Sequence, residues 1–248
     1  MPIESQFSGG VIAIDGPSAS GKSSTARAVA DALGFAHLDS GSLYRGMTLV
    51  GLRELARHGI RSGDPARDLA PETLLRAAED RGLMLQPDGG GFAAYLEGEP
   101  VDEELRSGEV TSRVSAISAI PVVREWINAR LRAMVRAGQN VVVDGRDIGT
   151  VVFPDADLKI FLTASPEARA GRRISQRGAA IEDQDLDAEA AALAARDHAD
   201  STRTVAPLRP AEDAVHLDTT SMGFEQQVRF IVERARPIFR GDTREPSG

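Results

Sequence analysis

Short apolar runs alternate with longer amphipathic stretches along this chain, and most junctions fall at glycine. "VIAID" (11–15) is an apolar run ending at Asp15, which predicts a buried parallel strand. "KSSTARAVADALG" then spaces its apolar residues as one face of a helix and stops at Gly34. "FAHLD" (35–39) predicts a second strand that leaves through Ser40 and Gly41. "SLYRGMTLVGLRELARHG" predicts a second helix closed by Gly59. Two strand–turn–helix units in succession predict a parallel sheet covered by helices.

The rhythm then breaks. "LMLQPDGGGFAAYLEGEPVDEE" (83–104) alternates and carries a triple glycine, which predicts a hairpin, so residues 65–110 read as an insertion. The α/β pattern resumes at Pro121, which opens the predicted helix "PVVREWINARLRAMVRAG", closed by Gly138. "NVVVDGRDIG" predicts a strand and its exit loop. "DLKIFLTAS" predicts the next strand, with "PEARAGRRISQRG" as its helix. The alanine-rich "LDAEAAALAARDHADSTR" predicts a helix, "AVHLDTT" a last strand and "FEQQVRFIVERAR" a last helix. The tail "GDTREPSG" is expected to be disordered.

Composition narrows the class. The 248 residues are 42% hydrophobic and 27% charged, which suits a soluble α/β domain with inserted subdomains. Absence of cysteine excludes a disulfide framework, thiolate chemistry and cysteine-held zinc, and fits a reducing cytoplasm. The N-terminus has no basic segment followed by an apolar run, so a signal peptide is not expected. No apolar stretch approaches the roughly 20 residues of a membrane helix, so no membrane partner is expected. A net charge of −8 argues against a general nucleic-acid binder but leaves room for a small phosphorylated ligand held by a few local cations.

The chemistry concentrates at strand exits. Three strands leave through an aspartate and small residues: Asp15-Gly16, Asp39-Ser40-Gly41 and Asp144-Gly145. Ligands of open parallel sheets sit outside the carboxyl ends of the strands, so these exits are expected to face one crevice. At the first, "GPSASGKS" matches G-x-x-x-x-G-K-[ST] in its strand–loop–helix context. The loop residues Gly16, Pro17, Ser18, Ala19, Ser20, Gly21, Lys22, Ser23 and Ser24 are expected to cradle ATP phosphates, through backbone N–H groups at all but Pro17 and through the helix N-terminus. Lys22 would reach the outer phosphates and the Ser23 hydroxyl would hold Mg²⁺. No guanine-reading N-K-x-D motif is present, so a GTP switch is excluded. Tyr44 and Arg45, expected in the turn after the second strand, Arg146 and Asp147, and Arg169, Arg172 and Arg173 are candidates for a site facing the γ-phosphate. A kinase for another small acceptor, such as shikimate, and a non-catalytic nucleotide sensor stay open on these residues alone.

"IDGPSASGKSS", "LDSGSLYRG", "VVVDGRDIGTVVFPDADLKIFLTAS", "RD…DSTRTVAPLRPA" and "LDTT" occur in an order that resembles the bacterial cytidylate kinases, over nearly the whole chain. The resemblance implies a P-loop nucleoside monophosphate kinase fold: a parallel five-stranded sheet flanked by helices, an enlarged NMP-binding insertion with a small antiparallel sheet, and a helical lid. It implies a core of 1–64, 111–173 and 207–240, an insertion of 65–110, a lid of 174–206 and a tail of 241–248. It implies transfer of the γ-phosphate of ATP to CMP or dCMP, with Mg²⁺, by a cytoplasmic monomer. Arg45, Arg146 and Arg203 would hold the CMP phosphate and, with Lys22, be catalytic. Ser40 and Tyr44 would line the CMP site, Arg196 and Asp200 would meet the ribose, and Arg173 the ATP side. Arg124 and Ser115 would read the ring and Asp147 its amine. Cytosine has acceptors at O2 and N3 and a donor amine, so a donor and a carboxylate placed there accept cytosine and reject uracil. Many members read G-K-G-T where this chain has Gly21-Lys22-Ser23-Ser24, which leaves Ser23 and Ser24 both open as the metal-facing hydroxyl.

The acceptor that the resemblance implies is a phosphate monoester, already mostly dianionic at neutral pH, so no general base is expected and the four histidines need no catalytic role. Arg196, Asp200 and Arg203 stand at i, i+4 and i+7 and would share one face if the helix continues that far.

Overall fold

The computed structural model describes residues 9–135, 138–176 and 183–239. Strand β1 (Val11–Asp15) is buried throughout and lies between β6 (Val141–Gly145) and β7 (Leu158–Thr163), parallel to both. β2 (Ala36–Asp39) pairs with β6, and β8 (Val215–Asp218) with β7, again in parallel. The outer edge of β2 carries β4 (Gly91–Leu96), itself flanked by antiparallel β3 (Met84–Asp88) and β5 (Glu99–Pro100). The order is β3-β4-β2-β6-β1-β7-β8 with β5 on β4.

The sheet is therefore mixed and eight-stranded, where the resemblance implies a five-stranded parallel sheet with a small antiparallel sheet in the insertion. The insertion's hairpin does not stand apart; it joins the β2 edge at the single register point His37 and Gly91. A Cβ at Gly91 would come within 3.0 Å of the His37 carbonyl, so glycine permits the approach. The added strands cover a backbone edge that would otherwise be exposed.

Alternation along β1 splits the core. Val11 and Ala13 face one apolar cluster; Ile12 and Ile14 face the other. The first lies under α2 (Ser40–Arg57), α4 (Pro71–Asp80), α6 (Gly108–Ser118) and α7 (Pro121–Val135), with short α3 (Pro65–Asp68) and α5 (Asp102–Leu105) beside them. The second lies under α1 (Lys22–Leu33) and α10 (Phe224–Phe239). A π-helical turn, Ile148–Val152, follows β6. α8 (Pro166–Gln176) packs against α9 (Asp183–Thr202).

Two helices differ from their sequence patterns. α2 begins at Ser40, because the Asp39 side chain accepts the Gly41 N–H at 2.8 Å and caps it. Tyr44 and Arg45 are thus helical, as the pattern from Ser42 predicts, and not in the turn after β2. α9 stops at Thr202, one residue short of Arg203. Ala206 adopts φ 50° ahead of Pro207, and Arg203 Nε donates to the Ala206 carbonyl at 2.6 Å. The expected disordered tail, 241–248, and residues 177–182 of the expected lid lie outside the described residues.

Candidate active site

The order β2-β6-β1 sets the three aspartate exits side by side: Asp39 is in register with Asp144, and Asp15 with Gly145. They open into a cleft of about 1060 Å³, its mouth included, bounded by α2, α6, α7 and α9. Among the described residues its wall holds seven cationic side chains, Lys22, Arg45, Arg124, Arg146, Arg173, Arg196 and Arg203. They face four carboxylates, Asp39, Asp144, Asp147 and Asp200. A chain of net charge −8 has gathered its cations here, as a polyanionic ligand requires.

The phosphate loop forms the floor. A Cβ at Gly16 would lie 2.1 Å from the Leu162 carbonyl, so the turn off β1 needs glycine. Ala19 takes φ 58°, a left-handed conformation costly for a residue with a Cβ and held by the surrounding loop. Arg172 Nη1 donates to the Ser20 carbonyl at 2.9 Å, and Arg169 Nη1 to the Ser18 carbonyl at 3.1 Å. Lys22 is buried and donates to the Pro17 carbonyl at 3.2 Å. Burial first, then the charge of Arg146, pushes its pKa down to about 7. Phosphate oxygens would restore its charge. Ser18, Ala19, Gly21, Lys22, Ser23 and Ser24 line the cleft; Gly16, Pro17 and Ser20 support the loop from behind.

Ser23 Oγ donates to Asp144 Oδ2 at 2.5 Å, and His37 Nε2 lies 2.8 Å from Asp144 Oδ1. Ser24 is exposed. Burial alone would raise the Asp144 pKa; the bonds from His37 and Ser23 and the charge of Lys22 outweigh it and hold Asp144 below its ordinary value. Asp39 beside it is pushed up by burial and by Asp144. Asp15, 5% exposed, accepts the Ile148 and Gly149 N–H groups, both at 2.8 Å. It thereby ties the turn after β6 to the end of β1. Burial still lifts its pKa to about 7 against those two bonds.

The opposite wall collects the acceptor candidates. Arg45 is held by the Leu105 carbonyl (3.0 Å) and Thr111 Oγ1 (2.9 Å). Arg146 bridges Ser18 Oγ (2.9 Å) and Asp200 Oδ2 (3.1 Å). Arg124 pairs with Asp147, donates to the Ser118 carbonyl at 2.9 Å and lies 5.3 Å from the Tyr44 ring centroid. Arg203 Nη2 stands 3.7 Å from Asp147 Oδ1. Ser40 Oγ donates to the Asp144 carbonyl at 2.7 Å, and the Ser115 carbonyl accepts from Ser118 Oγ at 2.9 Å. Arg173 Nε lies 3.9 Å from Glu189. Burial lowers the pKa of Arg45 and Arg203 and brings Arg196 down to about 10, with Arg146 and Arg45 adding repulsion. Tyr44 Oη, Arg124 Nε, Arg196 Nε and Arg203 Nη2 are buried without a hydrogen-bond partner, so this wall offers unused donors.

Every acceptor candidate named from the sequence except Arg169 and Arg172 lines this one cleft. Sequence reasoning missed Ser118 as a lining residue and His37 as the buried partner of Asp144. Asp144 was marked by its strand exit; nothing in the local pattern marks Ser118 or His37. Arg169 and Arg172 hold the phosphate loop instead of facing the acceptor.

The family model for cytidylate kinase matches residues 12–237. The chain belongs to the cytidylate kinase family. The cytidylate kinase of Rhodococcus jostii (strain RHA1) is 45% identical over 218 residues, covering 88% of this chain and 91% of its own length. That of Streptomyces griseus subsp. griseus is 44% identical over 231 residues, covering 93% and 94%. That of Streptococcus suis (strain 05ZYH33) is 41% identical over 229 residues, covering 92% and 96%. A cytidylate kinase of this type uses ATP to phosphorylate CMP, and the cleft meets that reaction's need for cations between two anionic substrates. Among the described residues no helix is long and apolar enough to cross a membrane.

Proposed function

We propose that the enzyme transfers the γ-phosphoryl of ATP to CMP and dCMP, giving CDP and dCDP, in the cleft between the phosphate loop and the Arg124–Asp147 pair. The observation that carries this is the convergence of seven cations on one cleft whose far end holds a buried donor–acceptor pair. The loop N–H groups and Lys22 would hold the ATP phosphates. Arg45, Arg146 and Arg203 would draw in the CMP phosphate and stabilise charge on the group in transfer. Arg196 and Asp200 would meet the ribose, Ser115 and Arg124 the ring acceptors, Asp147 the amine, and Tyr44 and Ser40 the acceptor wall. Arg173 would serve the ATP side. The acceptor needs no base, because its phosphate is already ionised.

The donor set suits Mg²⁺. Ser23 and Asp144 offer hard oxygens 2.5 Å apart beside the loop, and no cluster of three histidine or acidic side chains stands among the described residues to cage a metal. Mg²⁺ is commonly held by one or two protein oxygens plus substrate phosphates. Ser23 and Asp144 would hold it, and when bound it would supply positive charge to offset that of the phosphates.

Residues 65–110 would be the acceptor-binding insertion, the five parallel strands the core, and α9 a lid that excludes water, the competing acceptor. The protein would act as a cytoplasmic monomer. A coupled ADP-release assay with CMP, dCMP, UMP, AMP and shikimate tests the acceptor. CMP and dCMP are expected to lead by at least about 100-fold in kcat/KM; shikimate or another nucleotide leading would overturn the reading.

A further inference from the structure

Ser18 spends all three of its polar groups on side chains from other segments. Its N–H donates to Asp197 Oδ1 at 2.9 Å, its carbonyl accepts from Arg169 Nη1 at 3.1 Å, and its hydroxyl accepts from Arg146 Nη2 at 2.9 Å. The same Arg169 nitrogen is ion-paired with Asp197 Oδ2, closing a ring of α8, α9 and the phosphate loop. Asp200, one turn further along α9, takes Arg146 Nε. One residue of the donor loop is thus tied through two α9 carboxylates to the arginine of the acceptor side.

Asp197 does not line the cleft, so it holds no ligand there. Yet it occupies a loop N–H, and the pairing is shielded: Ser18 is 3% and Arg169 7% exposed. Charge-assisted bonds are strongest where water is excluded. α9 packs along α8, but it meets the phosphate loop through polar groups. Among its described side chains Leu193 and Asp200 are the buried ones, and the rest of its surface is largely alanine and charge. Its seat on the loop is made by polar contacts rather than by an apolar face.

We infer that Asp197 is a positioning residue that latches α9 onto the phosphate loop through the Ser18 N–H, and so sets Arg146 between donor and acceptor. This rests on the reading of α9 as the lid. Seated, α9 keeps water from the γ-phosphoryl. Unlatched, water takes that group and yields ADP and inorganic phosphate in place of ADP and CDP.

The chain has no cysteine, so a labelled pair needs no background removed. Ala192→Cys, exposed on α9, and Asp155→Cys, exposed before β7, would carry spin labels for pulsed distance measurement with and without a non-hydrolysable ATP analogue plus CMP. In the otherwise unchanged chain the distances are expected to narrow with both ligands. In Asp197→Ala they are expected to stay broad, with kcat down by about 100-fold and inorganic phosphate appearing alongside CDP. Asp197→Asn offers one oxygen to two donors and should fall between. Narrowing in Asp197→Ala equal to that of the parent, with ADP and CDP still formed one to one, would overturn the latch alone. If that variant does not fold, Asp197→Asn decides: closure and product ratio matching the parent would overturn it. No response to ligands in the parent would instead overturn the lid reading, and the latch with it.

Discussion

Asp147 and Arg124 form a buried ion pair at the far end of the cleft, one from the exit of β6 and the other from α7, 3% and 2% exposed. Arginine can only donate and an ionised carboxylate can only accept, so the pair presents fixed and opposite polarity to whatever ring enters. Cytosine matches it and uracil is reversed at both places. Asp147→Asn supplies a donor where the amine would sit. Its kcat/KM ratio for CMP over UMP is expected to fall by about 10- to 100-fold, the scale of one mispaired polar group. Steady-state kinetics with both nucleotides checks this; an unaltered ratio would remove Asp147 from base reading.

Lys22→Ala should separate activity from stability. Lys22 is buried and donates to the Pro17 carbonyl, and its pKa has already been forced down to about 7. Removing an ill-solvated cation costs the free fold little. Phosphoryl transfer is expected to disappear while the melting temperature stays within a few degrees of the parent or rises. A large drop in melting temperature would show Lys22 to be a structural residue.

Arg146 joins Ser18 of the donor loop to Asp200 of α9. An arginine that stabilises a phosphoryl group in transfer is worth about 10³–10⁵ in rate. Arg146→Ala is expected to lose kcat on that scale, with ATP binding by calorimetry changed much less. Near-parental turnover would take Arg146 out of the reaction.

Asp15 gives a pH signature. Burial holds its folded pKa near 7, above the ordinary 3.8. Between those values the folded state keeps a proton that the unfolded chain has released, so this group's contribution to stability falls as pH rises through that window. Asp15→Asn cannot titrate. Between pH 5 and pH 8 the parent's unfolding free energy is expected to fall relative to that of Asp15→Asn. Urea melts of both proteins at the two pH values measure the difference, and parallel behaviour would contradict it.

Much of this was legible in the chain because glycine and aspartate punctuate it. The three aspartate exits announced one crevice, and the order β2-β6-β1 places them there. Arg45, Arg146 and Arg196 are far apart in sequence and meet because their strands and helices end on one side of the sheet. What escaped reading depends on contacts between segments. The insertion's hairpin joins the main sheet through Gly91 against His37, a pairing no local pattern specifies. The end of α9 before Arg203 is set by the turn at Ala206, so helical spacing alone misplaced that residue. Nothing in the local pattern marks Asp197; its partner, the Ser18 N–H, lies 179 residues away.

The central claim is tested most directly by following a radiolabelled γ-phosphate from ATP with Mg²⁺ into products, with CMP or UMP as acceptor. The account expects label in CDP, little in UDP, and none in either with Lys22→Ala. Label that stayed in ATP or appeared as inorganic phosphate with the folded parent protein and CMP would contradict it.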